Sequence, residues 1–127
     1  MKKLSKKALN RSFLNWFYGH LTCFSQEHMQ TFGYMTAMLP IVQDLYDANE
    51  EQTEKVLTYS TFFNTEPQVG SIVVGITAGM EEARANGNYF GHAPNYAEVF
   101  VSGEDLHNEI RPVRITGTDG MVLFGEI

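Results

Sequence analysis

Cysteine is nearly absent: Cys23 stands alone in 127 residues. A single thiol forms no intrachain disulfide and no cysteine-based zinc site, so a reducing compartment is the default expectation. Long apolar runs are missing too; no stretch approaches the roughly 18 residues that would read as a full membrane span. No secretory leader is expected either. The apolar residues after the basic start are interrupted by Asn10, Arg11 and Asn15, and no small-residue cleavage pattern follows. The length suits one ordinary domain or two very small ones. Its 43% hydrophobic content is enough to build a core.

Catalytic patterns are equally scarce. His20, His28, His92 and His107 show no metal-ligand spacing, and each reads as a surface or internally satisfied histidine. Ser5, Ser12, Ser25, Ser60 and Ser71 lack a nucleophile-elbow context. Gly70, Gly75 and Gly79 sit within an apolar segment rather than in a phosphate loop after a strand. Glu81 and Glu82 are adjacent, so on a helix they point apart and form no catalytic carboxylate pair. No active site, metal or cofactor is expected.

The net charge of −6 disfavours a general nucleic-acid binder. The charge is uneven: residues 1–11 hold five cations and no acid, whereas residues 88–127 hold two arginines and six acids. Such a start suits a solvated helix end or a contact with anionic lipid headgroups. Membrane-surface candidates are Lys2, Lys3, Lys6, Lys7, Arg11 and Trp16.

Four helical segments are predicted. Residues 5–24 open with Ser5 as N-cap, and Leu9, Phe13, Trp16, Phe17, Leu21 and Phe24 recur on one broad face. Residues 26–46 keep helical spacing, with Pro40 expected to kink or split them. Met29, Met35 and Met38 form a stripe there, more often core than an adaptable binding surface. Residues 50–63 follow Asn49 as cap, with Glu50 and Glu51 in the first turn and Val56, Leu57 and Phe63 as apolar surface. Residues 67–83 form the fourth; between Glu66 and Glu81 they carry no charge. Gly75 and Gly79 make a small-xxx-small pair that admits a close helix partner.

From Asn88 the period changes. YAEVFV (96–101), IRPVRI (110–115) and MVLFGEI (121–127) read as strands, separated by the turn sequences SGED and TGTDG. Pro112 marks an edge or a bulge. The expectation is an α+β chain: about four N-terminal helices, then a small antiparallel sheet of three or four strands. The change of period places a junction near Ala85–Asn88, between a helical module (1–87) and a β tail (88–127).

Four stretches carry a resemblance over residues 4–87: LSKKALNRSFLNWFY, QEHMQTFGYMTAMLPIVQDLY, FFNTEP and IVVGITAGMEEARANG. In order and spacing they resemble the start of the D subunit of the mannose-type sugar phosphotransferase system, an integral-membrane permease subunit. The resemblance implies a non-catalytic role, a sister C subunit as partner, and a place at the cytoplasmic face of the membrane, or in the cytoplasm if this form is soluble. It makes Asn64 and Thr65 candidates near the sugar path. Glu27, Gln30, Pro67, Gly75 and Gly79 are structural candidates. The chain departs from the family's pattern at Glu66, commonly His, and at His28, commonly Arg. The family's later transmembrane helices have no counterpart here, so transport by this chain alone is not expected.

GHAPNYAEVFVSGEDL and EIRPVRITGTDGMVLFGEI resemble instead the end of a TRAM domain, the small RNA-binding barrel of radical-SAM tRNA methylthiotransferases. That resemblance makes His92, Arg111 and Arg114 RNA candidates, with weak or no affinity expected against six acids. Three readings follow: a truncated permease-subunit module that associates with a membrane or subunit, a soluble RNA-binding or interaction module, and a chimera of two family fragments without an evolved function. Homo-oligomers through the apolar helix faces are a further possibility.

Overall fold

A computed structural model describes residues 2–103, 106, 109–120 and 122–127. The chain folds as two compact units, Met1–Glu82 and Ala83–Ile127. The histidine expectation at His107, part of the SGED turn and the first residue of MVLFGEI lie outside the described residues.

Helix α1 (Lys6–Thr22) starts where the sequence places it, because the Ser5 hydroxyl accepts the Ala8 N–H at 3.1 Å. Helix α2 (Thr31–Leu45) is continuous with Pro40 inside it, so of the expected kink or split the split does not occur. Pro40 is buried beside Ala37, Met38, Ile41 and Val42, whose packing offsets its missing N–H. Helix α3 (Asn49–Thr58) is shorter than predicted. Asn49 is its first helical residue rather than its cap, and the segment after Tyr59 leaves the helix to meet α2. Tyr59 is core, whereas Leu57 is exposed. Helix α4 spans Gly70–Ala85.

The core of the helical unit is centred on α2, with Ala37, Met38, Ile41, Val42 and Leu45 essentially inaccessible. Trp16 from α1 and Val74 and Ala78 from α4 join it. Helices α1 and α2 cross closely at glycine. A Cβ on Gly33 would lie 2.9 Å from His20 Cα, so no larger residue fits without moving α1.

The second unit holds a four-stranded sheet: β1 (Asn88–His92), β2 (Glu98–Ser102), β3 (Arg114–Asp119) and β4 (Val122–Glu126), in the order β1-β2-β4-β3. Two antiparallel hairpins, β1–β2 and β3–β4, are joined by a parallel β2–β4 pairing. The sheet is therefore mixed, not purely antiparallel. Most of the predicted turn TGTDG is strand, with a bulge between Ile115 and Gly117; the turn itself is at Gly120, where φ is +61°. Residues 110–113, predicted as strand, precede β3. NYFGH, in the expected β tail but not predicted as a strand, is β1.

Candidate functional site

The FNTEP turn, residues 63–67, is held by the entry to α2. Met29 adopts φ 48° and bridges both Ser25 and Phe63. Gln30 is buried and works at both ends: its N–H donates to the Phe63 carbonyl at 3.0 Å, and its side-chain Oε1 accepts the Thr65 N–H at 2.9 Å. Thr31 Oγ1 accepts the Phe63 N–H at 3.0 Å. Loop backbone that would otherwise be buried without partners is thereby satisfied.

The turn then launches α4. Glu66 Oε2 accepts the N–H groups of Gln68 (2.7 Å) and Val69 (3.2 Å), placing a carboxylate where the helix start favours negative charge. Thus Glu66, noted only as a departure from a family pattern, serves as an N-terminal cap. Asn64 is exposed and Thr65 and Pro67 are half-buried on the same turn. Glu27 is exposed, 3.9 Å from His28 Nε2.

Trp16 lies beneath this turn. It meets Phe63 edge-on at 5.9 Å and stacks on His20 at 5.4 Å. A Cβ on Gly70 would stand 2.1 Å from the indole, so the first residue of α4 must be glycine for the helix to sit there. Trp16 is only 2% exposed and is no membrane-surface residue; this corrects the expectation from helical spacing. The buried stripe of α1 is Ala8, Ser12 and Trp16. Leu9, Phe13, Leu14, Phe17, Tyr18 and Leu21 face outward, with Phe13 52% and Phe17 56% exposed.

The cations divide. Lys3, Lys6, Lys7 and Arg11 are exposed on or before α1. Lys2 is exposed too but engaged within the fold: its ammonium donates to the Leu45 carbonyl at 2.6 Å and lies 3.4 Å from Asp47. Gly75 and Gly79 lie on the outer face of α4 beside exposed Ile72, Ile76 and Met80, and a Cβ on either glycine would meet nothing. On the inner face Glu81 is buried, accepting hydroxyl bonds from Tyr46 (2.6 Å) and Tyr59. Glu82 points elsewhere and accepts the Leu4 N–H at 2.7 Å.

The RNA candidates are not brought together. His92 is on β1 and Arg114 on β3, the two opposite edges of the sheet. Arg111 is bonded to Glu109 at 2.5 Å, and that bond and charge raise its already high pKa. Arg114 pairs across the strands with Glu126. Among the described residues, no group of three His, Cys, Asp or Glu is arranged to hold a metal ion. No helix among them is long and apolar enough to cross a membrane.

A family profile described as "PTS system mannose/fructose/sorbose family IID component" matches residues 3–95, running past the expected junction at 85–88. The mannose-specific EIID component of Escherichia coli K12 is 36% identical over 89 residues, covering 68% of this chain and 30% of the relative. The fructose permease IID component of Bacillus subtilis 168 is 33% identical over 87 residues, covering 67% and 30%. A solved structure described as "Structure of membrane protein" superposes with a TM-score of 0.60 at 33% identity, covering 68% of this chain and 32% of that one. The chain spans 30% of the length of these curated relatives. The family profile ends at residue 95, and the TRAM-like reading of the tail gains no support from these relatives.

Proposed function

We propose that this chain, which belongs to the mannose/fructose/sorbose IID family of the phosphotransferase system, is a D-subunit-like module that works against a membrane surface and a sister C subunit. It has no catalytic role in this reading and does not carry sugar by itself. The observation that supports it most is the inversion of residue size on the outer helices. Small residues predominate on the inner faces (Ala8 and Ser12 beside Trp16 on α1; Gly70 and Ala78 beside Val74 and Glu81 on α4), and large apolar ones face outward, on α4 together with Gly75 and Gly79. Packing through small residues with bulky ones outside suits helices whose surroundings are apolar. On α1 the exposed cations Lys3, Lys6, Lys7 and Arg11 supply attraction to anionic headgroups, each worth about 1 kcal/mol near such a surface. On α4 the open Gly75–Gly79 face suits the close approach of a partner helix.

Within this reading Gln30 and Pro67 shape the turn that carries Asn64 and Thr65, the candidates for a place near the sugar path. Weak or no nucleic-acid binding belongs to this reading, and the separation of His92 from Arg114 and the carboxylates beside Arg111 and Arg114 support it.

Two experiments test the proposal. The full chain is sedimented with vesicles containing anionic lipid at low salt, where binding is expected. Complete recovery in the supernatant sinks the membrane role. Co-expression with a C subunit of a mannose-family permease is expected to give a co-purifying pair that Gly75→Leu disrupts, and no co-purification sinks the subunit role.

A further inference from the structure

The first half of α1 and the last half of α2 enclose an open cleft of about 150 Å³, with Lys7, Ala8 and Arg11 on one wall and Pro40, Gln43 and Asp44 on the other. The Asp44 carboxylate is fixed in place: Oδ2 accepts the Ser5 N–H at 2.7 Å and Oδ1 accepts the Ser5 hydroxyl at 3.0 Å. Lys7 and Arg11 stand one helical turn apart, a spacing at which like charges repel. Neither has a hydrogen-bond or ion-pair partner among the described residues. Two cations and one carboxylate leave the cleft with a single net positive charge. That balance suits a phosphodiester, which carries one negative charge, better than a phosphate monoester or inorganic phosphate, which carry about 1.5–2 at pH 7. An arginine fork grips two phosphate oxygens and a lysine adds a point charge. Beside them, the Asp44 carboxylate and the Gln43 amide oxygen can accept from a hydroxyl.

Apolar surface continues from the cleft. Lys7, Arg11, Leu14 and Tyr18 follow at four- and three-residue steps, so they form one line along α1, and Leu14 and Tyr18 are exposed. Phe13 and Phe17 lie on a different side of that helix. On α2, Gln43, Leu39 and Phe32 align in the same way, with Leu39 and Phe32 exposed. The two lines start together at the cleft and run alongside each other, since Asn15 Nδ2 donates to the Thr36 carbonyl at 2.8 Å. A charged cleft that opens onto an apolar strip matches a phospholipid rather than a free phosphate. We infer, on the membrane-surface reading, that this cleft binds a phospholipid through a phosphodiester headgroup that bears hydroxyls. Lys7 and Arg11 hold the phosphate, Gln43 and Asp44 accept from the hydroxyls, and Leu14 and Leu39 lie along the acyl chain.

The probe is dihexanoylphosphatidylglycerol below its micelle-forming concentration, added to the full chain while the Arg11 Nε–H and Gln43 side-chain amide signals are followed by NMR. Saturable shifts are expected at both groups. Phosphatidylcholine with the same chains lacks the hydroxyls, and inorganic phosphate lacks the chains; each is expected to bind at least about tenfold more weakly. Lys7→Gln with Arg11→Gln is expected to weaken phosphatidylglycerol binding at least about tenfold, and Leu14→Ser about threefold. Arg111→Gln with Arg114→Gln removes the same charge from the other unit and is expected to leave binding unchanged. All these side chains are exposed, and circular dichroism verifies folding. Absence of saturable shifts at Arg11 and Gln43 overturns the inference. So does equal binding of inorganic phosphate, which would assign the cleft to a free anion. Undiminished binding by the Lys7 and Arg11 variant, or an equal loss in the Arg111 and Arg114 variant, overturns it too. Sedimentation with anionic vesicles separates the two readings: vesicle binding without shifts at the cleft keeps the membrane role and removes the lipid site, whereas saturable shifts without vesicle binding keep the site and remove the membrane role.

Discussion

Glu81 offers the sharpest test of how the helical unit is held together. It lies on α4, is 1% exposed, and accepts hydroxyl bonds from Tyr46, which follows α2, and Tyr59, which follows α3. One carboxylate therefore ties α4 to the ends of α2 and α3. In Glu81→Ala two buried phenols lose that acceptor. Such a loss costs about 1–3 kcal/mol per buried donor, and the vacated side-chain volume adds to it. A destabilisation of about 3 kcal/mol or more is expected, against a total of about 5–15 kcal/mol for a typical domain. At this chain length that corresponds to a fall in Tm of about 10 °C or more. Glu81→Gln keeps the volume and one carbonyl acceptor, so about half the loss is expected. Tyr59→Phe removes one donor with its partner left in place, for about 1–2 kcal/mol.

The assay is urea unfolding followed by fluorescence. Trp16 is the only tryptophan and is buried in the same unit, so the signal reports this unit. A double-mutant cycle between Tyr59→Phe and Glu81→Gln is expected to give a coupling of about 1 kcal/mol or more. The reasoning is refuted if Glu81→Ala unfolds within about 0.5 kcal/mol of wild type, or if the cycle is additive.

Three further outcomes are expected. Ser12 Oγ is buried with no hydrogen-bond partner among the described residues; Ser12→Ala should therefore raise stability by about 0.5–1.5 kcal/mol in the same urea titration. Gly70→Ala drives a methyl into the Trp16 ring and should cost about 1–3 kcal/mol, whereas Gly75→Ala meets open space and should stabilise α4 by up to about 1 kcal/mol; equal melting shifts for the two would contradict the packing. Gln30→Ala removes the acceptor of the Thr65 N–H. Hydrogen exchange at Thr65 should quicken by about tenfold or more, and unchanged protection would mean that the turn is held by other means.

Much of the helical unit was legible because its signals are local. Ser5 capped α1 as its position implied, and the run from Pro67 placed the start of α4 within three residues. The Gln30–Thr65 bond was not legible, because it joins residues 35 apart that no periodicity connects. Glu81 read as one of two adjacent acids with no shared role, and only the fold brings two tyrosines to it. The sheet failed in an instructive way. IRPV has strand formers but lies outside β3, whereas TGTD has turn formers and lies within it. Edge position and a bulge let β3 tolerate them, since the pairing with Val122–Glu126 decides the conformation. The row that Phe90, Phe100 and Phe124 form across β1, β2 and β4 has no spacing to notice until the mixed register is known.

The orientation of α1 was less legible than its period, because a bulky apolar face fits an interfacial helix as well as one packed on a core. Periodicity locates a face but does not say which way it points. Here the cue was the opposite row: Ala8, Ser12 and Gly19 recur at helical spacing, and Gly33 on α2 admits His20 to within 2.9 Å of where a Cβ would stand. Helices that approach so closely use small residues at the contact, which sends the large ones outward. Trp16 is the exception because Gly70 leaves room for its ring. α4 follows the pattern in part, with Gly70, Val74, Ala78 and Glu81 inside, and Ile72, Ile76 and Met80 outside together with Gly75 and Gly79. Large apolar residues on the outside of both helices are what the proposed reading requires, an apolar neighbour for each. An apolar face of this extent on a chain kept in water would otherwise be an aggregation liability.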